Sequence, residues 1–485
     1  MSKVLFIVTD LDLFERFGIM RISSMLKSRG HQVDIARSMR DNLPDKLGEF
    51  QPDILAYSTT TGYHQHYLEV NRSLKKDYPA LSIFGGPHPT YFPEIIKEQG
   101  VDAVCVGEGE FPMLELADAL GNGQPIDNIE NLIVKTNGGI KQNQTRRLVE
   151  DLDQLPFPDR ELLYHDNPAL KNMRIKSFFT GRGCPYKCTY CFNHAYNQMF
   201  KDKGRVIRKR SVDNLIQEIL DVQSKFAMKV LWFMDDVFTL GKTGWLDEFS
   251  KKYREKVGLP FVCMSRADLV TEQMVKSLSS AGCVGVYMAI EAGNDRIRNQ
   301  VLKRNLTKQQ MIRASQLFHD YGIKIIAENI IGLPSETIAE MLETLKLNID
   351  CKMDLAICSI FNPYPGTELA RFAQEQGYFS DDYSKVEHSY YLDSPLNFTK
   401  REKRQIRNLR QLFNVVVSFP WLFPLVRLLI NLPSNALFRM MAEIWHGFCL
   451  RFKIYRHRAS VKENLDMARA FLGMGVFKKK WQKKD

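Results

Sequence analysis

The sequence of 485 residues lacks the features that mark several classes of protein. Its first apolar run, at 4–8, is too short for a signal peptide and favours a first β-strand. Its nine cysteines are an odd number, which argues against a secreted disulfide framework. It has no second Cys-x-x-Cys pair and no His-x-x-x-His pair, one of which a closed zinc site usually requires. We therefore expect a folded cytoplasmic protein of about three domains.

Acidic residues are scarce at the C-terminal end. The net charge is +11, and residues 401–485 contain 18 Lys and Arg against 5 Asp and Glu. The first 400 residues are nearly neutral, with 49 basic side chains against 51 acidic ones. A basic tail usually indicates an anionic partner, such as lipid head groups or nucleic acid, although it can also be a solvated charged end.

Three cysteines stand together in the run Gly181-Arg-Gly-Cys-Pro-Tyr-Lys-Cys-Thr-Tyr-Cys-Phe192, directly after a β-like segment. A [4Fe–4S] cluster normally takes four thiolates, so Cys184, Cys188 and Cys191 would leave one iron open. Structural zinc and buried packing thiols are the alternatives. The spacing, the preceding strand and the missing fourth ligand favour the iron–sulfur cluster. The other six cysteines stand singly and are typical of small core residues: Cys105, Cys263, Cys283, Cys351, Cys358 and Cys449.

Residues 1–135 alternate short apolar runs with helical periodicity. The runs predict five strands, at 4–8, 33–36, 54–58, 81–84 and 103–106. Strands separated by helices predict a doubly wound parallel sheet, whose ligands bind at the carboxyl ends of the strands. Small or polar residues at these ends are candidate ligand contacts: Thr9, Ser58, Thr59, Gly85, Gly86, Gly107 and Glu108.

The rest of the chain predicts an α/β barrel followed by a helical segment. After a linker at 136–169, residues 170–395 repeat strand and helix, with strands at 175–180, 229–234, 261–265, 285–291, 325–331 and 356–361. Six such units predict a partial (β/α)6 barrel whose site lies at the carboxyl ends of the strands. We expect residues 396–485 to form a helical basic C-terminal segment.

The cysteine loop resembles the cluster loop of radical S-adenosylmethionine (SAM) enzymes. Together with that loop, the first domain resembles the cobalamin-binding domain that precedes it in one large subgroup of the superfamily. The resemblance covers roughly residues 1–395. It implies three cofactors: a [4Fe–4S] cluster, SAM and cobalamin. It also implies that an external donor such as flavodoxin or ferredoxin supplies the electron that cleaves SAM to a 5′-deoxyadenosyl radical. A flavodoxin-like first domain that binds nothing is the alternative.

The resemblance places SAM contacts at the ends of the first two barrel strands. Tyr190 would contact the adenine. Asp235 and Asp236 would receive the amino group, because an ammonium group needs a nearby carboxylate.

The later strands carry further SAM contacts by the same resemblance. Ser265 and Arg266 end the third strand, where the guanidinium would hold the SAM carboxylate. Glu291 ends the fourth strand and would contact the ribose or the amine. The segments 331–337 and 362–368 resemble family signatures near adenine and substrate, although each could simply begin a helix.

One pattern of better-known cobalamin proteins is absent. Their Asp-x-His-x-x-Gly motif supplies a histidine to cobalt, whereas Leu13-Phe-Glu-Arg-Phe-Gly18 keeps only the glycine. The lower face of the cobalt is therefore unassigned. His64 and His88 are conceivable substitutes, but a lone loop histidine more often forms a hydrogen bond.

An apolar stretch in the basic tail, at 412–432, raises the question of membrane contact. Pro420, Pro424 and Arg427 interrupt it, which disfavours a membrane span. An interfacial helical hairpin at the inner face of the membrane fits the mixture of aromatic and basic residues. The alternative is a helical cap that buries its apolar face against the barrel.

The reaction that the resemblance implies is methylation of an unactivated carbon or phosphorus in a small substrate, which the tail suggests is lipid-like. The alternatives are a radical cyclase or oxidase without methyl transfer, and a non-catalytic corrinoid or redox-sensing protein. A methylthiotransferase acting on RNA needs a second cluster in its N-terminal domain, where residues 1–150 contain only Cys105. Nucleic acid is therefore not an expected partner, and no residue is assigned as catalytic.

Overall fold

The computed structural model describes residues 1–10, 15–380, 383, 391 and 393–455. Two compact units divide the chain. The first contains Met1–Met173 and Gln198–Arg205, and the second contains Arg174–Asn197 and the residues from Val206 onward. The first unit is therefore discontinuous in sequence.

A seven-stranded sheet forms the centre of the first unit. Its strands are β1 Lys3–Val8, β2 Gln32–Arg37, β3 Ile54–Ser58, β4 Leu81–Gly85, β5 Ala103–Cys105, β6 Leu132–Thr136 and β7 Gly139–Gln142. Their order is β2-β1-β3-β4-β5-β6-β7. The first five are parallel neighbours, which confirms the predicted sheet, and the antiparallel pair β6–β7 extends it. The carboxyl ends of β1, β3 and β4 consequently share one edge.

Seven helices surround this sheet in the described part of the first unit: α1 Phe17–Ser28, α2 Leu43–Phe50, α3 His64–Leu74, α4 Pro87–Tyr91, α5 Glu110–Gly121, α6 Arg160–Tyr164 and α7 Pro168–Asn172. Apolar residues of α2 and α3 form one buried cluster with β1, β3 and β4, while α1 packs against α5. Burial of the apolar faces of β1, β3 and β4 provides the main driving force for this packing.

The segment predicted as a linker, 136–169, contains β7, the short helix α6 and the first residues of α7. Asp159 begins α6 and accepts a hydrogen bond from the hydroxyl of Ser23 at 2.6 Å. The buried guanidinium of Arg160 donates to Glu15 at 2.9 Å. These contacts tie the segment to the start of the chain, and our domain boundaries stay predictions.

A curved sheet of six parallel strands forms the second unit. The strands are β8 Ile175–Phe178, β11 Val230–Phe233, β12 Phe261–Ser265, β13 Cys283–Glu291, β14 Lys324–Ile331 and β15 Leu355–Ile360, in the order β15-β14-β13-β12-β11-β8. A small antiparallel pair, β9 Gly181–Arg182 and β10 Arg208–Lys209, lies between β8 and β11 in sequence. This arrangement confirms the predicted partial (β/α)6 barrel.

The helices that follow are α8 Phe192–Met199, α9 Val212–Lys225, α10 Trp245–Lys256, α11 Glu272–Ala281, α12 Lys308–Asp320, α13 Ile338–Asp350, α14 Glu368–Glu375, α15 Lys400–Ser418, α16 Val426–Leu429 and α17 Ala436–Phe448. Thr337 caps α13 and Thr367 caps α14 through their side chains. The segments 331–337 and 362–368 therefore do begin helices.

The described part of the C-terminal segment closes the barrel on its inner face. Phe233 and Phe261 pack with Phe249 of α10, so their side of the sheet faces the outer helices. The opposite, inner side holds one buried cluster, made of Val230, Val262, Tyr287, Ile326 and Leu355 together with Cys449, Leu450, Ile454 and Tyr455. None of the helices in the described ranges combines the length and the hydropathy that a membrane span needs.

Close packing against α13 requires a glycine at position 293, just after β13. A Cβ on this residue would overlap the backbone of Glu343 and Thr344 in α13. We expect Gly293→Ala to lower the free energy of unfolding by about 1–3 kcal/mol through overpacking. Thermal unfolding should show a lower midpoint for this variant. The control is Gly48→Ala in α2, where nothing lies within 4 Å of the added methyl group and the helix gains stability. Equal behaviour of the two variants would contradict the packing described.

Candidate active site

The cysteine loop leaves β8, passes through β9 and leads into α8. Gly183, immediately before Cys184, has φ +91°, and a Cβ there would overlap the carbonyl group of Val206. A Cβ on Gly181 would lie 2.6 Å from the carbonyl oxygen of Arg208. Both positions require glycine because the loop lies directly against the backbone of the segment 206–208.

Backbone hydrogen bonds shape the loop around its three thiols. The amide of Cys191 donates to the carbonyl oxygen of Cys188 at 3.1 Å, and Asn197 Nδ2 donates to that of Cys184 at 2.8 Å. Cys188 is buried and the other two are half-buried. Burial, together with the carboxylate of Asp236 and the two other thiols, raises the pKa of Cys191 to about 12. Burial also raises the pKa of Cys184.

These thiols fit a [4Fe–4S] cluster with an open iron. Three cysteines within eight residues offer three ligands, and the other six cysteines are buried in other elements of the fold. A cluster would displace the thiol protons, because only thiolates bind iron. Among the residues that the structure describes, no three potential ligands are already gathered around a metal position.

A buried arginine holds the loop against the barrel. Arg266 Nη1 lies 3.9 Å from Cys188 Sγ, and the guanidinium stacks 3.8 Å from the ring centre of Tyr186. Its Nε lies 2.8 Å from Asp268, and its Nη2 donates to the carbonyl oxygen of Arg304. Arg266, predicted to hold the SAM carboxylate, therefore contacts the cysteine loop at Cys188 and Tyr186.

Tyr190, Glu291 and Arg304 form a hydrogen-bonded network beside the loop, in which Glu291 and Arg304 are buried and Tyr190 is half-buried. The hydroxyl of Tyr190 donates to Glu291 Oε1 at 2.6 Å, and Arg304 Nη1 donates to that hydroxyl at 3.0 Å. Arg304 Nη2 also donates to the carbonyl oxygen of Ala289 at 2.7 Å. Burial raises the pKa of Glu291, and the charge of Arg304 opposes that shift. Two predicted SAM residues thus lie in contact.

Arg304 was missed by the sequence analysis. It lies beyond the π-turn Ile297–Val301, and no motif or regular spacing connects it to Glu291. Glu291 itself has φ +61°, an uncommon conformation for a residue with a side chain. Such local strain is typical of functional sites.

The two aspartates after β11 differ in their surroundings. Asp235 is buried and accepts hydrogen bonds from the amide and hydroxyl of Thr180, at 3.1 and 2.7 Å. Lys209 Nζ lies 3.5 Å from the same carboxylate and also contacts Thr180. Asp236 is exposed and accepts one hydrogen bond, from Asn193 Nδ2 at 2.8 Å. Asp236 is therefore the aspartate that can receive a ligand, while Asp235 fixes β8 to β11.

Two carboxyl groups that we had not proposed as site residues have raised pKa values. Burial raises the pKa of Glu336 to about 8, although one of its oxygens accepts a hydrogen bond from the amide of Leu333 at 3.0 Å. Burial and the charge of Glu291 raise the pKa of Glu328, on β14, to about 7. Both groups can therefore carry a proton near neutral pH.

The ends of β11, β12 and β13 offer the donor and acceptor types that SAM requires. Asp236 provides an exposed carboxylate, and Glu291 and Tyr190 provide a carboxyl and a phenol. Ser265 lies at the end of β12, with its hydroxyl 3.4 Å from that of Thr239. Carboxylates suit an ammonium group or ribose hydroxyls, so this set fits the cofactor.

In the first unit, the loops after β3 and β4 interlock. The amide of Thr59 donates to the carbonyl oxygen of Gly85 at 2.8 Å. Gly86 has φ +93°, and a Cβ there would lie 3.0 Å from the amide nitrogen of Thr59 and 3.4 Å from Ser58 Oγ. The hydroxyl of Thr59 is buried and has no hydrogen-bond partner within the described ranges. An unsatisfied buried hydroxyl at this sheet edge fits a polar ligand such as cobalamin.

Gly107 and Glu108, by contrast, contact protein groups. A Cβ on Gly107 would overlap the ring of Phe200, in the part of the first unit that follows α8. Glu108 Oε2 accepts a hydrogen bond from the amide of Val149 at 2.9 Å. Their contact with cobalamin stays a prediction. In the structure Gly107 leaves room for the ring of Phe200, and Glu108 binds the backbone at Val149.

Histidines lie near the same sheet edge. The rings of His64 and His88 stack with centres 4.1 Å apart, and His88 Nδ1 lies 3.1 Å from the hydroxyl of Thr61. Burial and the neighbouring His64 lower the pKa of His88 to about 3, so its ring is neutral. Thr9 lies at the end of β1, where its amide donates to the hydroxyl of Tyr67 at 3.1 Å. Residues 13 and 14 of the stretch 13–18, which we compared with the Asp-x-His-x-x-Gly motif, lie outside the described residues.

Comparisons with known proteins match both units. A family model described as the radical SAM superfamily matches residues 178–347, and a model described as a B12 binding domain matches residues 3–117. An uncharacterized methyltransferase of Pyrococcus horikoshii is 29% identical over 364 residues, covering 73% of this chain and 78% of that protein. An anaerobic magnesium-protoporphyrin IX monomethyl ester cyclase of Rubrivivax gelatinosus is 26% identical over 344 residues, covering 68% and 60%.

A solved structure shows the same fold. The cobalamin-dependent SAM radical enzyme OxsB, with aqua-cobalamin bound, aligns with a TM-score of 0.67 at 15% identity, covering 98% of this chain and 75% of that chain. The cofactors predicted from the sequence, a [4Fe–4S] cluster, SAM and cobalamin, are those that the two family models imply. The chain belongs to the cobalamin-binding radical SAM enzymes, with a B12-binding domain followed by a radical SAM domain.

Proposed function

We propose that this enzyme transfers a methyl group to an unactivated carbon or phosphorus of a small substrate. The observation that carries the proposal is the cysteine loop, which lies beside the hydrogen-bonded Tyr190–Glu291–Arg304 network at the carboxyl end of the barrel. When bound, the cluster and SAM would supply a radical that removes a hydrogen atom, and cobalamin would supply the methyl group. A radical route suits a carbon or phosphorus whose hydrogen is not acidic, because a general base cannot remove such a hydrogen as a proton.

The residues of the chain would bind, orient and shield these groups. We propose that Asp236 receives the amino group of SAM and that Glu291 and Tyr190 hold its adenosine part. Arg266 is a positioning residue, because it contacts Cys188 and Tyr186 and so fixes the cysteine loop. The buried inner face of the barrel would keep water away from the reacting centre.

We propose three further properties of the enzyme. Its substrate is apolar, its electron comes from a flavodoxin or ferredoxin, and it works in the cytoplasm with peripheral contact to the inner face of the membrane. Cysteines at cluster spacing occur once in the sequence, at 184–191, so an external donor would supply the electron.

A radical cyclase or oxidase without methyl transfer is the second candidate, favoured by the similarity to the cyclase of Rubrivivax gelatinosus. It shares the cysteine loop and the SAM contacts, so only the products distinguish it from a methyltransferase. A non-catalytic corrinoid or redox-sensing protein would bind the cluster without cleaving SAM.

The first test concerns the thiols. We expect Cys184→Ala, Cys188→Ala and Cys191→Ala each to abolish the cluster absorbance after anaerobic reconstitution, because two thiolates hold a cubane poorly. Release of 5′-deoxyadenosine from SAM with dithionite should fall to background in the same samples. Cys351→Ala, which removes a buried thiol of another element, is the matched control and should retain both signals. Full SAM cleavage by a loop variant would refute the ligand assignment.

The second test concerns the hydrogen-bonded network. Removing the hydrogen bond between Tyr190 and Glu291 leaves a buried polar group without its partner, so we expect Tyr190→Phe and Glu291→Gln to raise KM for SAM roughly tenfold. The measurement is 5′-deoxyadenosine release at varied SAM concentration. Tyr321→Phe removes a hydroxyl that contacts Glu272 at 3.2 Å on the surface and should leave KM unchanged. An unchanged KM in both network variants would exclude them from SAM binding.

The third test separates the candidate reactions. The enzyme, reconstituted with hydroxocobalamin, is incubated with methyl-deuterated SAM and a metabolite extract from cells that lack the protein. We expect one extract component to gain a single labelled methyl group in mass spectrometry. A product changed in mass without the label, accompanied by 5′-deoxyadenosine, would establish the cyclase or oxidase instead. Absence of SAM cleavage with a fully loaded cluster would favour the non-catalytic reading.

A further inference from the structure

Exposed apolar side chains are concentrated in one short part of the described chain. Ten of the fifteen large apolar side chains that are exposed lie between residues 419 and 452. We call these ten the apolar C-terminal surface: Phe419, Trp421, Leu425, Leu428, Leu432, Leu437, Met440, Ile444, Phe448 and Phe452. Exposure on this scale is unusual for a protein surface in water and marks a site of contact with an apolar partner.

Three side chains of the apolar C-terminal surface are exposed over most of their area. Trp421 is 71% exposed, Leu428 is 70% exposed and Ile444 is 64% exposed. Leu437, Met440, Ile444, Phe448 and Phe452 recur at intervals of three or four residues, which places them along one face of α17 and its continuation. A helix on a protein surface usually presents polar residues outward, whereas the outer face of α17 is mainly apolar, with Arg439 as an exposed charge.

The other side of α17 is fixed to the protein. Trp445 Nε1 donates to Ser418 Oγ at 2.8 Å, which joins α17 to the end of α15. Cys449 and Ile454 belong to the buried cluster on the inner face of the barrel, and the hydroxyls of Tyr455 and Tyr287 lie 3.1 Å apart. The helix therefore cannot rotate to bury its exposed face without leaving the barrel.

Positive charge accompanies this surface. Residues 400–455 contain ten Lys and Arg against two Glu. Arg427 and Arg439 are exposed among the apolar side chains, and Arg451 and Lys453 are half-buried at its end. Between 419 and 455 the one acidic residue in the sequence is Glu443, 3.9 Å from Arg439. Aromatic and aliphatic side chains mixed with cations suit a lipid bilayer that carries negative head groups.

We propose that the apolar C-terminal surface docks on an anionic lipid bilayer. The apolar side chains would enter the boundary between head groups and acyl chains, while Arg427 and Arg439 would contact lipid phosphates. A second copy of the chain fits less well, because a twofold contact would bring the arginines of both copies together. The proposal goes beyond methyl transfer and rests on the C-terminal segment alone.

Docking would also bring one end of the barrel to the membrane. The element that carries the exposed stripe, α17, runs directly into the residues that close the inner face of the barrel. A lipid-soluble substrate would then reach the enzyme by diffusion in the bilayer plane, which agrees with the apolar substrate proposed above.

Vesicle flotation with the full-length chain tests the proposal. We expect the protein to float with vesicles of phosphatidylcholine and phosphatidylglycerol, and much less with phosphatidylcholine alone. Leu428→Glu combined with Ile444→Glu should lower the bound fraction about tenfold, because both charges would have to enter the interface. Leu220→Glu combined with Ile312→Glu is the matched control, since these side chains are 40% and 41% exposed on α9 and α12. This control should bind as the unmodified chain does.

A second measurement does not depend on the folding of the charged variants. Brominated lipids should quench the fluorescence of the unmodified chain on anionic vesicles, and Trp421→Phe should remove most of that quenching. Release of 5′-deoxyadenosine should be unchanged in every variant, because none of these residues contacts the cysteine loop. Failure of vesicle binding with normal SAM cleavage would overturn the lipid proposal and leave the proposed reaction standing. If the double Glu variant instead converted a dimer to a monomer, the surface would be a contact between copies and the proposal would be wrong.

Discussion

The buried guanidinium of Arg266 is the interaction on which the active-site geometry depends. A cation in the interior must be surrounded by acceptors, since an unpaired buried charge costs several kcal/mol, on the order of 3–5. Here those partners come from three places: Asp268 just after β12, the carbonyl oxygen of Arg304, and the ring of Tyr186 in the cysteine loop. One residue thus determines where the loop lies. Through Arg304 it also holds the network that contains Tyr190 and Glu291.

Local patterns predicted the fold because each strand and helix carries its own periodicity. All six barrel strands and the five parallel strands of the first sheet coincide with apolar runs in the sequence. Each of these runs is followed by polar or small residues. The role of Asp235 could not be predicted in the same way. Its burial depends on Thr180 and Lys209, which are close to it only in the folded chain. Arg304 and Glu328 were not predicted as site residues for the same reason. Arg304 lies in a loop and Glu328 on a strand, and neither belongs to a motif.

The apolar stretch 412–432 shows how two opposed interpretations can each describe part of one segment. Its first residues belong to α15, where the side chains from Leu412 to Val417 are buried, and α15 packs on β15 and α13. At Pro420 the helix ends, because proline has no amide hydrogen to continue it. Beyond that point Trp421, Leu425, Leu428 and Leu432 are exposed, while Val426 and Ile430 are still buried. The sequence contains the proline, but which side of it meets the barrel is decided by long-range packing.

The discontinuity of the first unit has a practical and an evolutionary consequence. The eight residues Gln198–Arg205, which follow the cysteine loop in sequence, contribute the ring of Phe200 that covers Gly107. A fragment cut after Met173 would lose that ring and expose an apolar wall. Exchange of residues 1–173 alone would therefore leave part of the first unit behind, so a single crossover cannot swap this unit between proteins.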